Sequence, residues 1–198
     1  VYLASKRIWC VNGLVSSSKP LNDYWAKIRE HQVSAVQILA SGPMHDDRIH
    51  VEPPLHVAST MILCRRCGAD MPAIALIAPN VPETEGEICV LSNIRELPPP
   101  VLKWIRQRFP SFRLKLSKTT HSKYYANTCP KCGVLSGDFF LHVDLGAPFF
   151  PTTKEEAKHL SIETIPVNES MTVRAGLGIG VGELILRHAR RKGPGQLR

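Results

Sequence analysis

Two short cysteine motifs constrain this chain more than any other feature. Cys64-Arg65-Arg66-Cys67-Gly68 and Cys129-Pro130-Lys131-Cys132-Gly133 share one C-x-x-C-G pattern. Two intervening residues let a tight turn aim both sulfurs at one ion about 2.3 Å away. The glycine supplies a backbone position with positive φ, where a side chain would clash. Four thiolates make the closed tetrahedral set of a structural zinc site, with no position left open for water. Cys64, Cys67, Cys129 and Cys132 are therefore expected to hold one Zn²⁺. Such a site carries a formal charge of about −2, which Arg65, Arg66 and Lys131 inside the knuckles can offset.

The separation of the two motifs is unusual: 61 residues lie between Cys67 and Cys129, against roughly 15–20 in a compact two-knuckle finger. Either the ribbon carries a large insertion or each pair serves separately, for instance in redox chemistry. A redox pair wants a following helix, whereas Pro72 follows the first knuckle and Gly137 the second. A shared metal is the preferred reading. Cys10 and Cys89 read as ordinary residues, Cys89 within the apolar run Ile88–Leu91. The paired spacing argues against a disulfide framework and for a reducing, cytoplasmic compartment.

Charge is distributed unevenly. Between Glu96 and Asp138 there is no acid, but Lys103, Arg106, Arg108, Arg113, Lys115, Lys118, Lys123 and Lys131 all fall there. After Glu183 come Arg187, Arg190, Arg191, Lys192 and Arg198, again without an acid. The formal net charge of +8 is thus concentrated in two segments, the rest of the chain being acidic. This is the footprint of a polyanion binder, and Trp104, Phe109, Phe112, Tyr124 and Tyr125 interleave the longer stretch. The plainer alternative is a solvated basic face.

With 198 residues and 43% hydrophobic content, the chain can build one ordinary core, burying about 70% of its unfolded surface. No run approaches the roughly 18 apolar residues of a membrane helix. The opening VYLASKRIWCVNG lacks the apolar stretch of a secretory signal, and a start at Val1 leaves room for residues upstream. The pattern predicts a helix over Tyr24–Ala40, a linker at Pro53-Pro54, and strands at Met61–Leu63, Ala73–Ala78 and Ile88–Leu91. Pro98-Pro99-Pro100 opens a helix that Pro110 stops. Phe112–Leu116 alternates with period two, with Phe112, Leu114 and Leu116 towards a core and Arg113 and Lys115 opposite. Ser117–Ser122 is a polar loop suited to phosphate oxygens. Asp138–Asp144 reads as a strand, Thr152–Glu156 as a capping box, Ile162–Val167 as extended and Glu183–Lys192 as a basic helix.

Two further motifs could carry chemistry. Gly176–Gly182 (GLGIGVG) lacks the later acidic residue of a dinucleotide site, so a flexible approach to a terminal helix, or close helix packing, is the better reading. Asp138, His142 and Asp144 could bind Mg²⁺ beside a basic groove and cleave phosphodiesters; polar strand ends bonded to loops are the preferred account. His121 is an alternative metal ligand. No phosphate loop, nucleophile elbow or H-N-H pattern occurs.

The run Tyr125-Ala-Asn127-Thr-Cys129-Pro-Lys-Cys132-Gly133, continuing through Gly137-Asp138-Phe139-Phe140-Leu141-His142 to Pro148–Pro151, resembles a set of uncharacterised bacterial zinc-ribbon proteins. These pair it with an upstream S-T-x-x-x-C, here Ser59–Cys64. The resemblance spans about Val57–Pro151. It implies the metal site and a bacterial cytoplasmic origin, and nothing about substrate.

The expected fold is α+β: a zinc ribbon with a long β-α-β insertion between its knuckles and helices at both ends. It reads as an N-terminal helical segment (1–50), a ribbon core (51–151) and a C-terminal extension (152–198) forming one compact unit. The expected function is non-enzymatic nucleic-acid binding within a larger assembly, through Lys103, Arg106, Arg108, Arg113, Lys115, Lys118, Lys123, Lys131, Arg190 and Arg191. A protein adaptor and a metal-dependent nuclease are the alternatives. No membrane partner is expected.

Overall fold

A computed structural model describes residues 47–143 and 146–192. The expected helix over 24–40, Cys10, Asp144 and Arg198 lie outside these. Strands β1 (Arg48–Val51), β2 (Leu55–Leu63), β3 (Asp70–Ala78) and β4 (Cys89–Glu96) come first, then helix α1 (Pro99–Arg108). Strands β5 (Phe112–Leu116), β6 (Lys123–Thr128) and β7 (Leu135–Ser136) follow, then helices α2 (Asp138–His142) and α3 (Lys154–Ala157). Strands β8 (Ser161–Ile165) and β9 (Met171–Gly178), helix α4 (Gly182–His188) and strand β10 (Arg190–Arg191) complete the described chain. The architecture is α+β and dominated by strands.

Seven strands form one sheet in the order β1-β9-β4-β3-β2-β8-β10, antiparallel except for β10 beside β8. A second sheet has the order β5-β6-β7. The large sheet is buried on both faces, so its central strand β3 reads as a nearly continuous apolar run, AIALIA, rather than an alternation. One face carries Leu55, Val57, Ile74, Leu76 and Leu91, packed against Val101 and Ile105 of α1 and Phe112 of β5. The other carries Ala58, Ala73, Ala75, Ile77 and Ile162, packed against Leu141, Phe149, Leu160 and Ile185. The sheet takes strands from both sides of residue 151, with β1 paired to β9 and β2 to β8.

Several local signals act as expected. Pro99 and Pro100 occupy the first turn of α1, where a missing N–H costs nothing, and the helix ends at Arg108, shortly before Pro110. Thr153 caps α3, its hydroxyl accepting from the Glu156 N–H at 3.2 Å, while the Glu156 carboxylate accepts from the Thr152 N–H at 2.6 Å. Of the glycines after Gly178, Gly180 is set by its φ of 96°, whereas Gly182 serves packing, since a Cβ there would lie 2.6 Å from the Ile88 carbonyl oxygen. That leaves α4 no room for any larger residue there.

Four expectations change. Pro53-Pro54 is a cis bend joining β1 to β2, with Glu52 bonded to Asn80 across it, rather than an open linker. Asp138–His142 is a helix: burying Leu141 against the large sheet together with Asp138 requires the i, i+3 spacing of a turn, and Phe139 and Phe140 are left outside. In β5 only Phe112 is buried, because α1 covers that end of the strand; Leu114 and Leu116 are 47% and 55% exposed. The last helix stops at His188, because Arg190 and Arg191 leave it to pair with Ser161 and Ile162 of β8. The 61 residues between the knuckles run from β3 to β6. The expected β-α-β unit is thus the β4-α1-β5 stretch of a longer path.

Candidate metal centre

Each knuckle is the turn of a β-hairpin, but the two hairpins belong to different sheets. The first joins β2 to β3 and the second joins β6 to β7. Their backbones follow one pattern. The Gly68 N–H donates to the Cys64 carbonyl at 2.8 Å and the Cys64 N–H to Ala69; the Gly133 N–H donates to Cys129 at 2.9 Å and the Cys129 N–H to Val134. Gly68 and Gly133 have φ of 66° and 69°. A Cβ would meet nothing within 4 Å at either site, so it is backbone conformation rather than space that demands glycine.

The turns face each other. Cys64 Sγ lies 3.6 Å from Cys132 Sγ, and Cys67 Sγ lies 3.7 Å from Cys129 Sγ. Sulfurs about 2.3 Å from a common centre form a tetrahedron with edges of about 3.8 Å, and all four sulfurs here lie within 4.8 Å of one another. The short distances cross between knuckles, as one shared ion requires. Among the described residues this is the only group of three or more potential ligands close enough to hold a metal; His121, exposed in the 117–122 loop, is not in it. Met71 is buried with Cys64 and Cys129, and Ile62, Ala69 and Val134 pack against them. An apolar collar of this kind restricts water at a structural site.

The thiols are electrostatically unequal. The Cys67 N–H, and then that of Arg66, draw the Cys64 thiol down to about 6, against the effect of burial. At Cys67 the Ala69 N–H also pulls downward, but burial and the three other sulfurs outweigh it and push this thiol up to about 11. The Cys64 thiolate forms readily while that of Cys67 is resisted unless a cation arrives, so metal capture releases protons. Cys89 is separate: its thiol donates to the Glu87 carbonyl at 3.4 Å inside the core, and burial raises its pKa.

The basic residues fall into distinct places. Lys103 and Arg106 lie exposed on α1, Arg106 with its guanidinium 6.0 Å from the Tyr125 ring. Arg113 and Lys115 share one face of β5, while Lys123, opposite Leu116, lies on the other. Lys118 is on the loop and Lys131 in the second knuckle. Arg190 and Arg191 sit on the β10 edge of the large sheet. Arg108 is occupied internally, 3.2 Å from Glu163 of β8 and stacked 4.1 Å from Trp104. Among the described residues none of the other nine makes an ion pair, and all nine are exposed.

Sequence reasoning missed a polar seam where the two sheets meet. β3 and β4 pair only from Leu76/Leu91 to Ala78/Cys89; beyond that β4 turns away through an irregularity at Ser92–Glu96, with Asn93 at φ 47°. The Asn127 side chain fills the gap, accepting from the Ile74 N–H and donating to the Ile74 carbonyl, both at 2.9 Å. It thereby stands in for the missing strand neighbour. The Asp138 carboxylate accepts from the Asn93 N–H at 2.6 Å. Burial pushes Asp138 up to about 7 and His142 down to about 4. Both line a cavity of about 10 Å³ with Asn127, Tyr125 and Phe112, and His142 Nδ1 has no protein partner among the described residues. The cavity holds about one water, too little for a phosphodiester. The signal lay in the resemblance motif itself, whose Asn127 and Asp138 do this joining. No protein-family model, curated protein or solved structure matches the chain.

Proposed function

We propose that this chain is a zinc-stapled, non-enzymatic nucleic-acid-binding module of the zinc-ribbon kind, working as a subunit of a nucleoprotein assembly. The four-sulfur cluster fits Zn²⁺ in its ligand chemistry and spacing. The observation that carries the nucleic-acid reading is the set of exposed cations, without an ion pair among the described residues, on α1, β5, the following loop, β6 and the second knuckle. These elements form one body: Arg106 reaches Tyr125, Phe112 stacks on Tyr125 at 5.8 Å, and β6 runs straight into Cys129. Cations on a rigid frame lose little freedom on meeting a phosphate backbone, and such contacts position without reading sequence.

The working residues in this reading are Lys103, Arg106, Arg113, Lys115, Lys118, Lys123 and Lys131, with Arg190 and Arg191 as a separate edge. Arg108 serves the fold through Glu163. Placement of Asp138 and His142 on a one-water cavity supports a structural rather than hydrolytic role for them. The adaptor alternative draws on Leu114, Leu116, Met61 and Leu63, all exposed, which suit an apolar protein surface.

The test is metal analysis combined with fluorescence titration on single- and double-stranded DNA and RNA. One zinc per chain is expected, with affinity falling about 10³-fold or more from about 50 to 200 mM salt if six or more phosphates are contacted. Arg113→Ala with Lys115→Ala should weaken binding on every sequence and flatten the salt slope. Binding indifferent to salt contradicts the reading, and a defined protein partner retained after nuclease treatment favours the adaptor.

A further inference from the structure

Helix α2 places two consecutive aromatic rings in solvent beside the metal centre. Phe139 is 50% and Phe140 41% exposed, and their rings meet edge to face with centroids 5.6 Å apart. The helix exists to bury Leu141 and Asp138 on its inner side, and that leaves the rings outside. Arg65 of the first knuckle lies over Phe140, its guanidinium carbon 3.9 Å from the ring centroid. Arg66 beside it and Lys131 in the second knuckle are exposed. Contact between Cys64 and Cys132 draws all three cations and both rings to one end of the molecule. Asp70, the acid nearest the first knuckle in sequence, pairs with Leu63 and shares the strand face of Ile74. Leu141 packs against the opposite face, with Ala73 and Ala75.

We propose that Phe139 and Phe140 form a stacking platform for unpaired bases of a single-stranded nucleic acid, with Arg65 backing the Phe140 ring and Arg66 and Lys131 taking the flanking phosphates. This rests on the nucleic-acid reading above and assigns it a strand preference. Rings stack on any base face, whereas bases in a duplex are already stacked and closed to them. The knuckle charges alone cannot provide that selectivity: Arg66 and Lys131 only offset a formal charge of about −2 on a zinc tetrathiolate. Discrimination between single strand and duplex therefore falls to the rings.

The experiment compares the zinc-loaded full chain with Phe139→Ala/Phe140→Ala and with Phe139→Trp, titrating a labelled oligothymidine of about 20 nucleotides and a duplex of equal length. The wild type should bind the single strand more tightly than the duplex. The double alanine variant should lose about tenfold on the single strand, spare the duplex, and keep the wild-type salt slope; Phe139→Trp should retain binding. Zinc content and circular dichroism matching the wild type establish that the variants are folded, as expected for exposed side chains. A double variant that binds the single strand as tightly as the wild type overturns the platform and leaves the rings to a protein surface, with the basic-surface reading intact. A wild type that binds neither probe overturns both.

Discussion

Single residues carry much of the determinism in this chain, and they divide by how local their reasons are. Gly68 and Gly133 are demanded by a positive φ within five-residue turns, so their role was legible from C-x-x-C-G alone. Replacing either with alanine should cost about 1–2 kcal/mol in the zinc-loaded protein, read by denaturant titration. Asp138 belongs to the other class, because its burial depends on Asn93, which is distant in sequence. Its carboxyl rises from an ordinary 3.8 to about 7 in the fold, so the stability it contributes is complete below about 3.8 and lost as pH climbs through about 7. His142 falls from 6.5 to about 4; its contribution is complete above about 6.5 and lost as pH drops through about 4. Asp138→Asn keeps an acceptor for the Asn93 N–H and leaves His142 in place, so comparing it with the wild type isolates the carboxyl. Between pH 5 and 7 the stability gap should move in the variant's favour by up to about 1.4 kcal/mol per unit. Parallel stability–pH curves for the two proteins would refute the buried-carboxyl assignment.

Elements were readable where one face alone decides them. Ala73–Ala78 is apolar because both of its faces are covered, and α1 announces itself through prolines before it and Pro110 after it. The failures share a cause: the deciding contact is made by a remote strand. DFFLH alternates well enough for a strand, yet the large sheet needs Leu141 and Asp138 on one side of a turn. The basic tail has a helical pattern to Lys192, yet β8 captures Arg190 and Arg191. The joint between the sheets was equally hidden, since the departure of β4 from β3 leaves no local mark beyond Asn93. Asn127→Ala should leave the buried N–H and carbonyl of Ile74 unpaired and cost about 2–5 kcal/mol, with weakened amide-exchange protection in both β3 and β6. Gly182→Ala, which crowds the Ile88 backbone, should cost about 1–3 kcal/mol in thermal unfolding.

At the scale of the whole molecule, apolar packing and the Arg108–Glu163 pair dock α1 on the large sheet, and two further links fasten the small sheet to it: the Asn127–Ile74 pair and the paired knuckles. A metal at the second link joins parts of the chain 61 residues apart and holds the basic surface in fixed relation to the core. Chelation should lower the melting temperature and weaken nucleic-acid binding together, while Cys89→Ala leaves metal content unchanged. The electrostatic asymmetry of the chain was plain in the sequence; its division between the two faces of β5–β6, and the withdrawal of Arg108 to Glu163, became visible only with the fold. The most direct test is zinc-edge X-ray absorption on the purified chain, with metal content determined on the same sample. One zinc per chain with four sulfurs at about 2.3 Å is predicted. A shell of two sulfurs completed by nitrogen or oxygen, or a second zinc per chain, would show each knuckle binding alone and contradict the shared centre.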